Sequence, residues 1–442
     1  MRDFSVCPPR EGAQALVSAI DRLALTIDSS GPMEELRRFA LALFEGDTAL
    51  MELYYHSLTR ALIACPARRI SGCLWKDYLI YLAVQRPNAF SDMAAAGRMD
   101  ALTFSLMRGD LVLLCSLMPL ASRDLVRMAE ERGRELRHGS GRVDDLSRMS
   151  TELWSGVKQP REMERPRALP TGLEPADFEW LGWNYGSGAA VDSFIADEAL
   201  EEVYARLQKE NWPELTDTLY DLFAAYGSGD FLRWRLMKCD KAGLSPLPDG
   251  AAAPLIGYLY EKQRTLLQDN VIRFMRGESA ANMLLRGPQG VGKTASVYAL
   301  AYELPEVRLI RLCPEADVSL LMARLADQPM KFIVLLDDVD VDSSGIRLRL
   351  TELCSGFAQP ANVLLCATCR GGESSLLPLC VDFPCLTLNE LFDAVTELLS
   401  VEAVPFDAAR VRAMCVDHQV DCRDKLTYSG AIRIAQRCKM MQ

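Results

Sequence analysis

The stretch MLLRGPQGVGKTASVYALAYEL, residues 283–304, sets three glycines, a lysine and a threonine between an apolar run and a helix-favouring run. From Gly287 through Pro288, Gln289, Gly290, Val291, Gly292 and Lys293 to Thr294 it fits G-x-x-x-x-G-K-[ST] at every fixed position. Glycines let successive backbone N–H groups turn inward onto phosphate oxygens, and the following helix presents its positive end to the same anion. Lys293 would reach the β- and γ-phosphates and the Thr294 hydroxyl would hold Mg²⁺, with Ala295 completing the nucleotide-binding positions. A chance glycine turn needs neither an apolar strand before it nor a good helix after it, and both are here.

A phosphate cradle of this kind also needs an acid at the tip of a neighbouring strand. KFIVLLDDVDVD, residues 331–342, supplies one: five apolar residues end in Asp337 and Asp338, a Walker B arrangement. Asp337 is expected to associate with Mg²⁺ and Asp338 to polarise an attacking water. Many hydrolysing P-loop proteins carry glutamate at the second position, one methylene longer, so the rate here is left open.

Around these motifs strand-like and helix-like segments alternate. Short apolar runs at 282–286, 307–312, 332–336, 362–367 and 383–388 predict a five-stranded parallel sheet covered on both faces, an α/β P-loop NTPase core. The preceding chain reads as helices. LRRFALALFEGDTALMELYYHSLTRALIA repeats apolar residues at three- and four-residue spacing, and Leu200, Val203, Tyr204 and Leu207 form a later stripe. Four prolines, Pro160, Pro166, Pro170 and Pro175, mark a crossover, and KAGLSPLPDGAAAP at 241–254 is the clearest boundary. The expected organisation is a helical domain over 1–157, a crossover and linker over 158–250, the P-loop core over 251–388 and a helical lid over 389–442.

Composition narrows the function. The chain has 442 residues and a formal charge of −11, so nucleic acid would need a local basic patch that the C-terminal half does not supply. Its 14 cysteines are scattered and no leader-like segment opens the chain, which predicts reduced thiols in a cytoplasm. The apolar stretch 101–120 approaches spanning length but carries Arg108, Gly109 and Asp110 at its centre; two buried helices are expected there, not a membrane span. Cys366, Cys369, Cys380 and Cys385 resemble a zinc ribbon only superficially, and His56, His138 and His418 are isolated.

Together with LIGYLYEKQ at 255–263, NVLLCATCR at 362–370 and YGSGDFLRWR at 226–235, these motifs resemble an AAA-type P-loop ATPase. More narrowly they resemble the bacterial domain-of-unknown-function family numbered eight hundred and fifteen, over about residues 226–442. The resemblance implies that Ile256 and Tyr258 lie beside adenine, that Thr368 sits near the sensor of the γ-phosphate, and that Arg433 in YSGAIRIAQR reaches phosphate from the lid. It departs where Arg370 stands for the family's asparagine and where residues 371–409 hold no lysine or arginine, the region from which a neighbouring subunit would offer an arginine. The implied function is an ATP- and Mg²⁺-dependent ATPase, with homo-oligomerisation left open, acting on a protein client through its helical N-terminal region. The alternative is a nucleotide-gated adaptor with negligible turnover.

Overall fold

A computed structural model describes residues 6–140, 182–185, 198–209, 211–247, 259–304, 306–354, 359–372, 374–422 and 425–440. They divide into two compact units, the first within 1–221 and the second comprising 222–442 with 92–98. The proline-marked crossover, Ile256 and Tyr258 lie outside the described residues.

The helices run in order α1 Pro9–Ile20, α2 Pro32–Glu45, α3 Thr48–Ala64, α4 Leu74–Ile80 continued by a π-helical turn Tyr81–Gln85, α5 Ala89–Ala95, α6 Ala101–Leu117, α7 Ser122–Ser140, α8 Glu198–Leu207 and α9 Thr216–Tyr226. Their ends follow local chemistry. The Asp47 carboxylate caps α3 by accepting from Leu50 N at 3.0 Å, and Asp100 caps α6 from Thr103 N at 2.6 Å. Leu200, Val203, Tyr204 and Leu207 are all buried, as their spacing predicts.

One expectation fails here. Residues 101–117 form a single helix that passes through Gly109, not two helices broken there. A lone glycine costs about 1 kcal/mol in a helix, and Asp110 supplies a reason to continue. Buried at 1% exposure, its carboxylate accepts from the N–H groups of Ala24, Leu25 and Thr26 and from the Thr26 hydroxyl, at 2.7–2.9 Å. The charge that argued against a membrane span is therefore an anchor for a loop. No single helix among the described residues is long and apolar enough to cross a membrane.

The second unit contains α10 Asp230–Arg233, β1 Leu236–Asp240, β2 Gly243–Pro246, α11 Glu261–Met275, β3 Met283–Arg286, α12 Lys293–Glu303, β4 Val307–Leu312, α13 Val318–Ala326, β5 Lys331–Leu336, α14 Ser344–Cys354, β6 Val363–Cys369, β7 Leu379–Asp382, α15 Leu388–Val401, α16 Ala408–Asp421 and α17 Tyr428–Met440. The strands form one sheet in the order β2-β1-β4-β5-β6-β3-β7, parallel throughout except for β2. Two strands are thus added to the five expected. β1 pairs with β4, with Met237 opposite Ile310, so residues ahead of the expected boundary at 250 contribute two strands to the sheet. The last core strand ends at Asp382 instead of spanning 383–388. Phe383 N makes a final rung to Arg286 O at 2.7 Å, Pro384 has no N–H to donate, and Thr387 with Glu390 forms a capping box that starts α15.

Alternation along each strand splits the core in two. Leu284, Phe332, Val334, Leu336, Leu365 and Ala367 pack with α13 and α14; Met283, Leu285, Ile333, Leu335, Leu364 and Cys366 pack with α11 and α12. Cys369 faces the first of these cores and Cys366 the second, so the pair cannot pinch a metal. A third cluster, with Leu391, Val395, Val411, Cys415, Tyr428 and Ile434, gives α15–α17 a core of their own.

Replacing Asp110 strips a buried carboxylate from four donors. Asp110→Ala is expected to destabilise the helical unit by about 3 kcal/mol, and Asp110→Asn by less, measured as a lowered urea midpoint by circular dichroism.

Candidate nucleotide-binding site

The P-loop, the paired acids Asp337 and Asp338, and Thr368 lie at the carboxyl end of the parallel strands, where open α/β sheets gather ligands. The P-loop joins β3 to α12. Its first glycine is fixed by packing: Gly287 has φ +148°, and a Cβ there would stand 2.1 Å from the carbonyl oxygen of Phe383. At its other end Gly292 adopts φ +103° as the N-cap of α12, and no side chain caps that helix. The first-turn N–H groups are thereby left for a ligand.

Lys293 is buried, and its ammonium donates to the carbonyl oxygens of Gly287 at 2.6 Å and Pro288 at 2.8 Å. Burial pushes its pKa down, while Asp338 and Asp337 push it up. Thr294 Oγ1 donates to Asp337 Oδ1 at 2.6 Å.

Sheet register explains why the acids meet their partners. Arg311 stands opposite Leu335, and Ala367 opposite Leu336. Continuing the alternation puts Arg311, Asp337, Thr368 and Arg370 on the α12 side of the sheet. The buried Thr368 hydroxyl donates to Asp337 Oδ1 at 2.8 Å and accepts from Asp338 N at 2.7 Å. That second bond holds Asp338 at φ +51°, a left-handed conformation aspartate tolerates better than most residues. Arg311 reaches Asp337 Oδ2 at 3.2 Å. Arg370 reaches Asp338 Oδ2 at 3.5 Å and Gln289 Oε1 at 3.2 Å.

A cavity of about 400 Å³ lies over these groups, lined by Gly290, Lys293, Thr294, Asp337, Asp338 and Thr368 among others, and from the lid by Tyr428, Ser429 and Ile432. This is within the roughly 300–1,000 Å³ typical of ligand pockets. Ser429 N donates to Gly290 O at 2.9 Å, so the lid rests on the P-loop. The donors suit Mg²⁺: a hydroxyl and a carboxylate oxygen converge, with phosphate and water left to complete the shell. Among the described residues no group of three or more His, Cys, Asp or Glu could hold a metal by itself.

Arg433 is the site residue the structure does not bring in. It is exposed on α17, about 100° around the helix from Ile432, and its charge instead acts on His418, whose pKa is lowered first by burial and then by Arg433. Four lining residues escaped the sequence reading. Arg311 was hidden in RLIRL, where only register shows which strand face it shares, and Tyr428, Ser429 and Ile432 depend on how the lid docks.

Residues 230–371 match a family described as protein of unknown function, DUF815. The DUF815 segment runs from α10 to just beyond β6, and so includes the P-loop, both acids, Thr368 and Arg370. No curated protein matches the chain. Among solved structures, the RuvB Holliday junction branch migration motor of Thermotoga maritima is 19% identical over 40% of this chain and 67% of its own, with a TM-score of 0.27. Aeropyrum pernix Orc1 in complex with DNA is 21% identical over 43% of this chain and 63% of its own, with a TM-score of 0.33. The sheet order, P-loop and lid make the second unit an AAA-type α/β P-loop domain.

Thr368→Val deletes one donor to Asp337 and the acceptor for Asp338 N. It is expected to cost about 1–3 kcal/mol and to weaken Mg²⁺-dependent nucleotide binding, with Thr368→Ser restoring both. Thermal unfolding and a magnesium titration in the presence of nucleotide would check this.

Proposed function

We propose that the chain binds ATP with Mg²⁺ in this cleft, hydrolyses it slowly, and couples the change to movement of the α15–α17 lid against the sheet. The observation that supports this most is the convergence of Lys293, Thr294, Asp337 and Thr368 beneath an uncapped helix N-terminus. Lys293 would exchange two loop carbonyls for the β- and γ-phosphates. Thr294 and Asp337 would hold the metal, which when bound supplies neutralisation of the phosphate oxygens. Asp338 would orient a water whose oxygen bonds to the γ-phosphorus as the bond to the bridging oxygen breaks; the water's proton passes to the carboxylate, leaving ADP and phosphate. Ile256 and Tyr258 are the proposed adenine contacts.

The client we propose is a protein engaged through the helical N-terminal region. The net charge of −11 gives no support to nucleic acid, and the free thiols suit a reducing cytoplasm. Homo-oligomerisation is compatible with this reading but not required by it. One observation favours the nucleotide-gated adaptor as a second reading: the Asp338 carboxylate, needed for water, is paired with Arg370. Multiple-turnover phosphate release separates the two.

Lys293→Ala is expected to lower ATP affinity by tenfold or more, since the main side-chain counterweight to the phosphates is lost; undiminished binding of a fluorescent ATP would remove the assignment. Asp338→Asn should retain ATP while slowing phosphate release. Asp337→Asn should instead weaken the magnesium-dependent part of binding. Identical behaviour of the two variants in binding and turnover would contradict the division of roles.

A further inference from the structure

The lid helix α16 is apolar on two opposite sides. Val411 and Cys415 point into the lid core, with Met414 packed against it. On the far side Ala409, Ala413, Val416 and Val420 fall within an arc of about 60° at 100° per residue. All four are exposed, Val416 at 41% and Val420 at 73%, and their spacing of four, three and four residues is that of a helix seam. Charge is sorted along the same helix: Arg410 and Arg412 lie in its first half, Asp417 and Asp421 in its second, all of them exposed. Arg410, Asp417 and Asp421 share one flank of the apolar stripe, about 80–120° around from Ala409. Arg412 and Gln419 share the other, where the Arg412 guanidinium donates to Asn389 Oδ1 at 3.1 Å and lies over the Phe392 ring at 5.3 Å. The lid residues that line the nucleotide cleft are on α17, so this face of α16 is separate from it.

We infer that this face of α16 binds the same face of a second copy of the chain, with the two helices antiparallel about a two-fold axis. The order of charges argues for that occupant. Centring the pair between Met414 and Cys415 sets Ala409 against the partner's Val420 and Ala413 against the partner's Val416, a small residue opposite a larger one each time. Two-fold symmetry brings each flank against its own counterpart. Arg410 then stands level with the partner's Gln419, about 3 Å along the axis from both the partner's Asp417 and the partner's Asp421. The partner's Arg410 meets Asp417 and Asp421 in return. On the other flank Arg412 faces the partner's Gln419, which is uncharged. A parallel pair would set Arg410 against the partner's Arg410 and each aspartate against its own copy, so the charges that join the antiparallel pair exclude the parallel one. The contact is isologous and closes at two chains. One helix face buries less than a permanent dimer needs, so the pair is transient, with a dissociation constant on the order of 100 µM. The inference does not depend on the ATP reading.

The test is sedimentation velocity of the full chain without nucleotide, from well below to well above that concentration. Wild type is expected to associate to two chains and no further, and less so in high salt. Arg410→Glu alone, and Asp417→Arg together with Asp421→Arg, each set like charges against one another and are expected to weaken association about tenfold or more. Combining all three substitutions makes the charges opposite again and is expected to return the dissociation constant to within about threefold of wild type. An acid near the start of a helix and bases near its end suit the helix dipole, so circular dichroism is expected to stay that of wild type in every variant. The inference is overturned if wild type stays a single chain above that concentration, if either swap alone leaves association unchanged, or if the triple variant does not recover it. Association that requires Mg²⁺ and ATP and passes beyond two chains overturns it as well, because it runs through other surfaces.

Discussion

A single buried hydroxyl ties the cleft together. Thr368 Oγ1 donates to Asp337 and accepts from the backbone of Asp338, so the tip of β6 fixes both acids at the tip of β5. Buried polar groups without partners are costly, and here the hydroxyl uses both its donor and an acceptor position. Asp337 becomes a fixed oxygen donor beneath the P-loop. Asp338 is left with its backbone constrained and its side chain facing out, the difference on which the proposed division of labour between the two acids rests.

The rest of the site is arranged by the same sheet. Parallel register places Arg311, Asp337, Thr368 and Arg370 on the α12 side, while residues of opposite parity fill the core beneath α13 and α14. The P-loop is seated against β7 through Gly287, where only a glycine can pass the Phe383 carbonyl. The lid rests on the loop through Ser429. The loop thereby touches a lid that has an apolar core of its own.

Cations surround the acids asymmetrically. Lys293 is buried against loop carbonyls, Arg311 is bound to Asp337, and Arg370 is exposed against Asp338. Arg433 does not take part, because the helix face that meets the cleft presents Tyr428, Ser429 and Ile432. A motif can therefore place a residue on the correct helix and still mistake the face, since one residue is about 100° of rotation.

What the sequence by itself determined was local. Glycine spacing, the Lys–Thr pair and an apolar run ending in two aspartates mark the P-loop turn and the acids at the strand tip, because backbone conformation and charge act there over a few residues. Helical periodicity likewise marked the N-terminal unit. The tertiary structure decided what depends on pairing between distant segments: that β1 joins the sheet beside β4, that Asp110 anchors a loop from 84 to 86 residues away instead of ending a helix, and that Arg311 and Arg370 find the two acids. Register and lid docking are set by summed packing over many strands and helices, so no short window of sequence contains them.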